Sequence, residues 1–220
     1  MDRTRLAWVI GIGAAAVLAG ALLVHPRPRP AQGPPRADAI LDAALRELLE
    51  EPGVREQLVA KSPGAALLEL RLRVLPSAEY LSARDLELWA DVRLRIARAS
   101  PQACAKLWKG GDNPAASLAL ETFSDGELRE WAEMSARGVA LSLEGKAPPA
   151  VASDALARGV AAIAANLPPG ARQTFEADAR DAQLSEPSAC QAFLRLFSGA
   201  RALPQPLQGE LLRALAARSH

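Results

Sequence analysis

Histidine is almost missing from this chain. Of 220 residues only His25 and His220 carry an imidazole. Without one between residues 37 and 219, Ser–His and Cys–His nucleophile pairs and histidine-based metal sites are excluded from that stretch. Two cysteines, Cys104 and Cys190, stand 86 residues apart with no histidine beside them, which does not make a zinc site. The chain also has no Gly-x-Ser-x-Gly elbow, no phosphate-binding loop and no dinucleotide fingerprint. These absences leave no cofactor, no metal and no nucleophile-based catalytic residue to nominate.

Aromatic residues make up 4% of the chain and β-branched residues are sparse, while Ala, Leu, Arg and Glu are plentiful. That composition argues against a strand-rich fold and for helix. Charge of one sign is also lacking. The net charge is +1, and the five Arg and one Asp of residues 1–36 leave the remainder at −3. A mildly acidic domain has no clustered basic face, so nucleic acid is not an expected partner.

What the chain does have is one long apolar run, Leu6 to Val24, without a charged side chain. As a helix it would span roughly 28 Å, close to the bilayer's hydrocarbon thickness of about 30 Å. The competing reading is a cleaved signal peptide, supported by Arg3, Arg5 and the small-x-small triplet Ala19-Gly20-Ala21. The run is longer than a signal peptide's apolar stretch, and cleavage after Ala21 would leave Leu22-Leu23-Val24 on the mature end. An uncleaved anchor over 6–24 is therefore the expectation, with the membrane as its first partner. No Cys follows the run, which argues against a lipoprotein signal. The Lys and Arg counts of the two flanks nearly tie, so the positive-inside rule decides little. The short 1–5 tail favours a cytoplasmic N-terminus and an exported C-terminal domain in the bacterial inner membrane. Gly11/Ala15 and Ala16/Gly20 are spaced for close helix approach, which permits a homodimer without arguing for one. Residues 25–36, His-Pro-Arg-Pro-Arg-Pro-Ala-Gln-Gly-Pro-Pro-Arg, read as an extended spacer.

Residues 37–220 read as one all-α domain of eight to ten short helices stacked as hairpins. Ile40, Leu41, Ala44, Leu45 and Leu48 mark an amphipathic helix ending near Pro52-Gly53, and a second helix is expected at 54–61. Ser62-Pro63, Ser100-Pro101 and Asn113-Pro114 read as helix starts, and Ser124-x-x-Glu127 as a capping box. Gly110-Gly111-Asp112-Asn113 reads as a helix stop, a turn and a cap. Leu68 to Val74 alternates with period two, a strand signal; with no partner strand in the chain, helix is the better reading. The helix opened by Ser82 carries an apolar stripe of Leu86, Trp89, Val92 and Ile96. Its opposite face holds Arg84, Glu87, Asp91, Arg95 and Arg98, with Asp91 and Arg95 expected to pair. The longest internal break falls at 145–149. Further helices are expected around Leu156–Ile163, over 171–183, from Ser185 and Pro187 onward, and after Pro206.

Ser-Pro-Gln-Ala-Cys at 100–104 resembles Glu-Pro-Ser-Ala-Cys at 186–190. The same offset places Trp89 over Phe175 and Leu81 over Leu167, which suggests a duplicated helical hairpin at about 81–110 and 167–199. Both cysteines fall on apolar helix faces, so they are a candidate disulfide in an oxidising compartment and packed thiols in a reducing one. Trp108 and Trp131 lie on helix stripes and are expected in the core.

The functional expectation is a non-enzymatic, membrane-anchored periplasmic protein, an adaptor, scaffold or chaperone-like binder of another envelope protein. Two alternatives stand beside it. One is a hydrolase of envelope polymers using carboxylates such as Glu50, Glu51, Glu69, Glu79 or Glu121. The other is a cytoplasm-facing tethered adaptor. A cleft with two facing carboxylates would favour the enzyme, and an apolar groove the binder.

Overall fold

The computed structural model describes residues 35–110, 113–181 and 183–218. The apolar run at 6–24, the spacer as far as Pro34, and Gly111 and Asp112 of the expected turn lie outside the described residues. No described helix is long and apolar enough to cross a membrane.

The domain is all-helical, with eleven α-helices among the described residues. They are α1 (Arg36–Glu50), α2 (Pro52–Leu58), α3 (Pro63–Arg73), α4 (Ala83–Ala99), α5 (Pro101–Lys109), α6 (Pro114–Leu120), α7 (Asp125–Leu143), α8 (Ala155–Ala165), α9 (Pro169–Asp178), α10 (Glu186–Ala202) and α11 (Leu207–Ala217). A 3-10 turn, Pro76–Tyr80, joins α3 to α4. Most starts are written locally in the sequence. Ser62, Ser82, Ser100 and Asn113 each accept a bond from the backbone N–H three residues on. Ser124 and Glu127 cap each other's backbone N–H reciprocally at the start of α7.

Three apolar clusters fill the interior. Leu41, Leu45 and Leu48 of α1 pack with Val54, Leu58, Leu70, Val139 and Leu143. Val92 and Ile96 of α4 pack outward against Leu120, Phe123 and Leu128. The largest cluster joins the inner face of α4 to α8–α11 around Phe175, Phe193, Phe197, Leu211 and Leu212. Trp131, on α7, packs against all three. The 3-10 turn presses on α7 because position 138 is glycine. A Cβ there would sit 3.0 Å from the Ser77 Oγ and 3.1 Å from its carbonyl oxygen. From the other side, Arg213 of α11 donates to the carbonyls of Glu79 and Leu81, both at 3.0 Å.

The helix expected over the alternating stretch is present, while several boundaries and one ion pair differ from expectation. The alternating stretch at 68–73 is helical. The alternation arises because Leu70 is buried while Leu68 and Leu72 face outward, and Glu69 pairs with Arg73 one turn on. Helix α2 starts at Pro52 and ends at Leu58, and α9 occupies Pro169–Asp178, short of the expected 183. The break expected at 145–149 extends over 144–154. The Asp91–Arg95 pair does not form. Arg201 of α10 grips Asp91 through two nitrogens, at 2.8 and 3.1 Å, and Arg95 reaches Glu127 and lies over the Phe123 ring. Neighbouring helices offer each residue a more favourable partner than its own helix does.

The two cysteine-bearing segments are both helical hairpins that start in register. Helices α4 and α9 begin 86 residues apart, as do Pro101 and Pro187 at the heads of α5 and α10. The register then lapses, because α4 runs into α5 across Ser100 alone, whereas residues 179–185 separate α9 from α10. Helices α5 and α10 lie against each other and bring Cys104 and Cys190 to disulfide distance, with Cα atoms 5.0 Å apart. Cys104 is fully buried and Cys190 only half-buried.

Candidate functional site

A cavity of about 560 Å³ opens among α3, the 3-10 turn, α4, α5, α6 and α7. That volume falls within the range of about 300–1,000 Å³ typical of ligand pockets. Its walls are mostly apolar. Leu81, Trp89, Ile96, Leu120, Trp131 and Met134 supply much of the surface, and no Asp or Glu is among the described residues that line it. Leu72 and Leu75, at the end of α3 and the start of the 3-10 turn, line it while standing 67% and 59% exposed, so they form its rim.

Two cations line the same cavity, Arg93 and Lys106. Lys106 is exposed, but Arg93 is only 8% exposed. Helix geometry puts it there: Arg93 follows Trp89 by four residues on the apolar side of α4, and its guanidinium lies over the indole, 4.4 Å from the ring centroid. Among the described residues the Arg93 guanidinium makes no ion pair and no hydrogen bond. Burial alone pushes its pKa down to about 10, which still leaves it charged at neutral pH.

The other polar side chains of the wall are largely engaged. Ser77 donates to the carbonyl of Val74 at 3.0 Å and Ser135 to that of Trp131 at 2.8 Å. Asn113 donates to the Ala103 carbonyl and accepts from the Ala116 N–H. The site therefore offers a ligand a mostly apolar wall, the Ser117 hydroxyl and one largely buried cation without an ion-pair partner among the described residues.

The carboxylates considered for catalysis lie elsewhere. Glu50 pairs with Arg55, Glu69 with Lys61 and Arg73, and Glu121 with Arg36. Glu121 also accepts from the Ala37 N–H at 2.7 Å, capping the start of α1 across the fold. Glu51 is exposed ahead of α2, and Glu79 is half-buried on the 3-10 turn. Among the described residues no group of three His, Cys, Asp or Glu is placed to hold a metal ion.

Trp108 and Trp131, expected in the core, are both half-buried. Trp131 lines the large cavity. Trp108 donates its indole N–H to the Asp181 carbonyl at 3.2 Å and lines a smaller cavity of about 260 Å³ near Arg180 and Arg218. Arg93 is the residue that sequence reasoning missed. The available signal was its four-residue spacing from Trp89, which places it on the stripe of Leu86, Trp89, Val92 and Ile96 and away from the polar face.

No protein-family model, curated protein or solved structure matches the chain.

Proposed function

We propose that this chain is a binding protein of the bacterial envelope, tethered to the inner membrane through residues 6–24, with its helical domain of stacked hairpins held on the periplasmic face. The observation that carries the binding reading is the cavity between α3 and α7, which is apolar, open at a leucine rim and free of lining carboxylates among the described residues. Glycoside hydrolysis works with a carboxyl pair flanking the bond to be cut, and the described residues of this lining include no such pair. The charge-free run supports the tether. The disulfide-distance cysteines support an oxidising compartment, because such pairs are rare in reducing ones.

The test is site-specific photo-crosslinking in growing cells with the full chain. A photoreactive amino acid at Leu75, on the rim, should trap a ligand or partner. The same group at Val59, which is 77% exposed and does not line the cavity, should trap none. Equal yields at the two positions, or none at Leu75, would overturn the reading.

A further inference from the structure

The reading of the cavity as a binding site leaves its ligand open, and the polar inventory of the wall narrows it. We propose that the cavity holds an aliphatic carboxylate, with the head paired to the Arg93 guanidinium and the chain lying among Trp89, Ile96, Leu120, Trp131 and Met134.

The argument runs from what each polar group still has to offer. The hydroxyls of Ser77 and Ser135 and the amide of Asn113 have backbone partners, which leaves the Ser117 hydroxyl as the one further polar side chain on the described lining besides the two cations. A sugar or a polar peptide needs many donors and acceptors, and this wall does not supply them. A wholly apolar guest would leave Arg93 as it is, a buried charge without a counterion. A guest with one anionic group and an otherwise apolar body satisfies both conditions. The guanidinium fork matches a carboxylate through two parallel N–H···O bonds, and its face is already held by the Trp89 indole, so its position is set before the ligand arrives. Lys106, exposed on the same lining, adds a second positive charge that would attract the head during entry. Among the described residues the lining has no carboxylate to repel it. The leucine rim at 72 and 75 gives an acyl chain an apolar path from outside. A domain tethered to a bilayer sits beside a source of such molecules, and that clause rests on the proposed tether.

The experiment uses the full chain in phosphatidylcholine nanodiscs. The probes are a palmitate carrying a diazirine on its chain and the methyl ester of the same compound, with adducts mapped by peptide mass spectrometry. The expected result is labelling of α4, α6 and α7 peptides by the carboxylate, at least tenfold above the ester. Arg93→Met should cut carboxylate labelling at least tenfold and leave ester labelling unchanged, while Arg93→Lys should retain part of it. Thermal melts of each variant establish that it is folded. A second variant, Ser117→Trp, fills the lining at a half-buried position without touching Arg93 and should block both probes.

Equal labelling by acid and ester, or full labelling of folded Arg93→Met, would overturn the carboxylate assignment and leave the cavity as an apolar site. Absence of cavity adducts with either probe, together with a protein adduct from Leu75 in cells, would overturn it differently, by making the cavity a dock for a partner's chain. Absence of both would remove the binding reading itself.

Discussion

Cys104 and Cys190 lie 86 residues apart in sequence and 5.0 Å apart between Cα atoms, at matching places in two hairpins that begin in register. That separation lies within the span a disulfide requires. Closing a loop of that length would contribute about 4–5 kcal/mol in the chain-entropy model, a large share of the 5–15 kcal/mol typical of a domain. Protein extracted from cells without reductant and unfolded in the presence of an alkylating agent should therefore take up no label, and reductant should lower its melting temperature. Two freely alkylating thiols would refute the bond and withdraw the main structural support for a periplasmic domain.

The start of α7 makes acid sensitivity testable at a single residue. The Ser124 hydroxyl and backbone N–H, with Arg95 beyond them, pull the Glu127 carboxyl down to about 2 from an ordinary value of 4.5. A carboxyl lowered on folding stabilises the fold above its unfolded value, and that contribution is lost as pH falls through its folded one. The sensitive window thus runs from about pH 4.5 down to about pH 2. The melting temperature should fall across it, and Glu127→Gln, which keeps the capping geometry without the charge, should fall less. Asp85 behaves in the same sense: burial raises its pKa, but hydrogen bonds from Arg137 and Ser82 outweigh that and hold it low. The comparison between wild type and variant therefore isolates Glu127, and identical pH profiles for the two would refute its role.

How far the sequence carried this reading depended on the range of the interaction. The Ser and Asn caps, the prolines at helix starts and the Leu41–Leu45–Leu48 stripe all act within a turn or two, and each appears in the fold where the local pattern puts it. The pairing of Cys104 with Cys190 was legible because no third thiol competes and the segments around the two resemble each other. The ion pairs were not, since Asp91 had a suitable arginine four residues away and took Arg201, which lies 110 residues along the chain. The cavity was less legible still. It is the space left where α3, the 3-10 turn and α4–α7 meet, and no local pattern encodes a gap between elements. Arg93 showed only as a charge on the apolar side of a stripe, a small anomaly in one helix until five neighbours enclosed it.

That anomaly has an energetic consequence, which separates a ligand-binding arginine from a structural one. Displacing the Arg93 pKa from 12.5 to about 10 corresponds to about 3 kcal/mol of unfavourable desolvation. Its stacking on Trp89 returns about 2 kcal/mol in a desolvated setting. Without a ligand the charge should therefore be a net burden of about 1 kcal/mol. Met, unbranched and apolar, can occupy much of the same space and removes the charge. Arg93→Met should accordingly raise the melting temperature of ligand-free protein by about 2–4 °C, the shift expected for that energy in a domain of this size. The same variant should lose its cargo, the usual trade-off at a site kept polar for function. Scanning calorimetry of delipidated wild type and variant measures this directly. A lowered melting temperature for Arg93→Met would mean that the guanidinium supports the fold, and the anion it is proposed to await would no longer be needed to explain it.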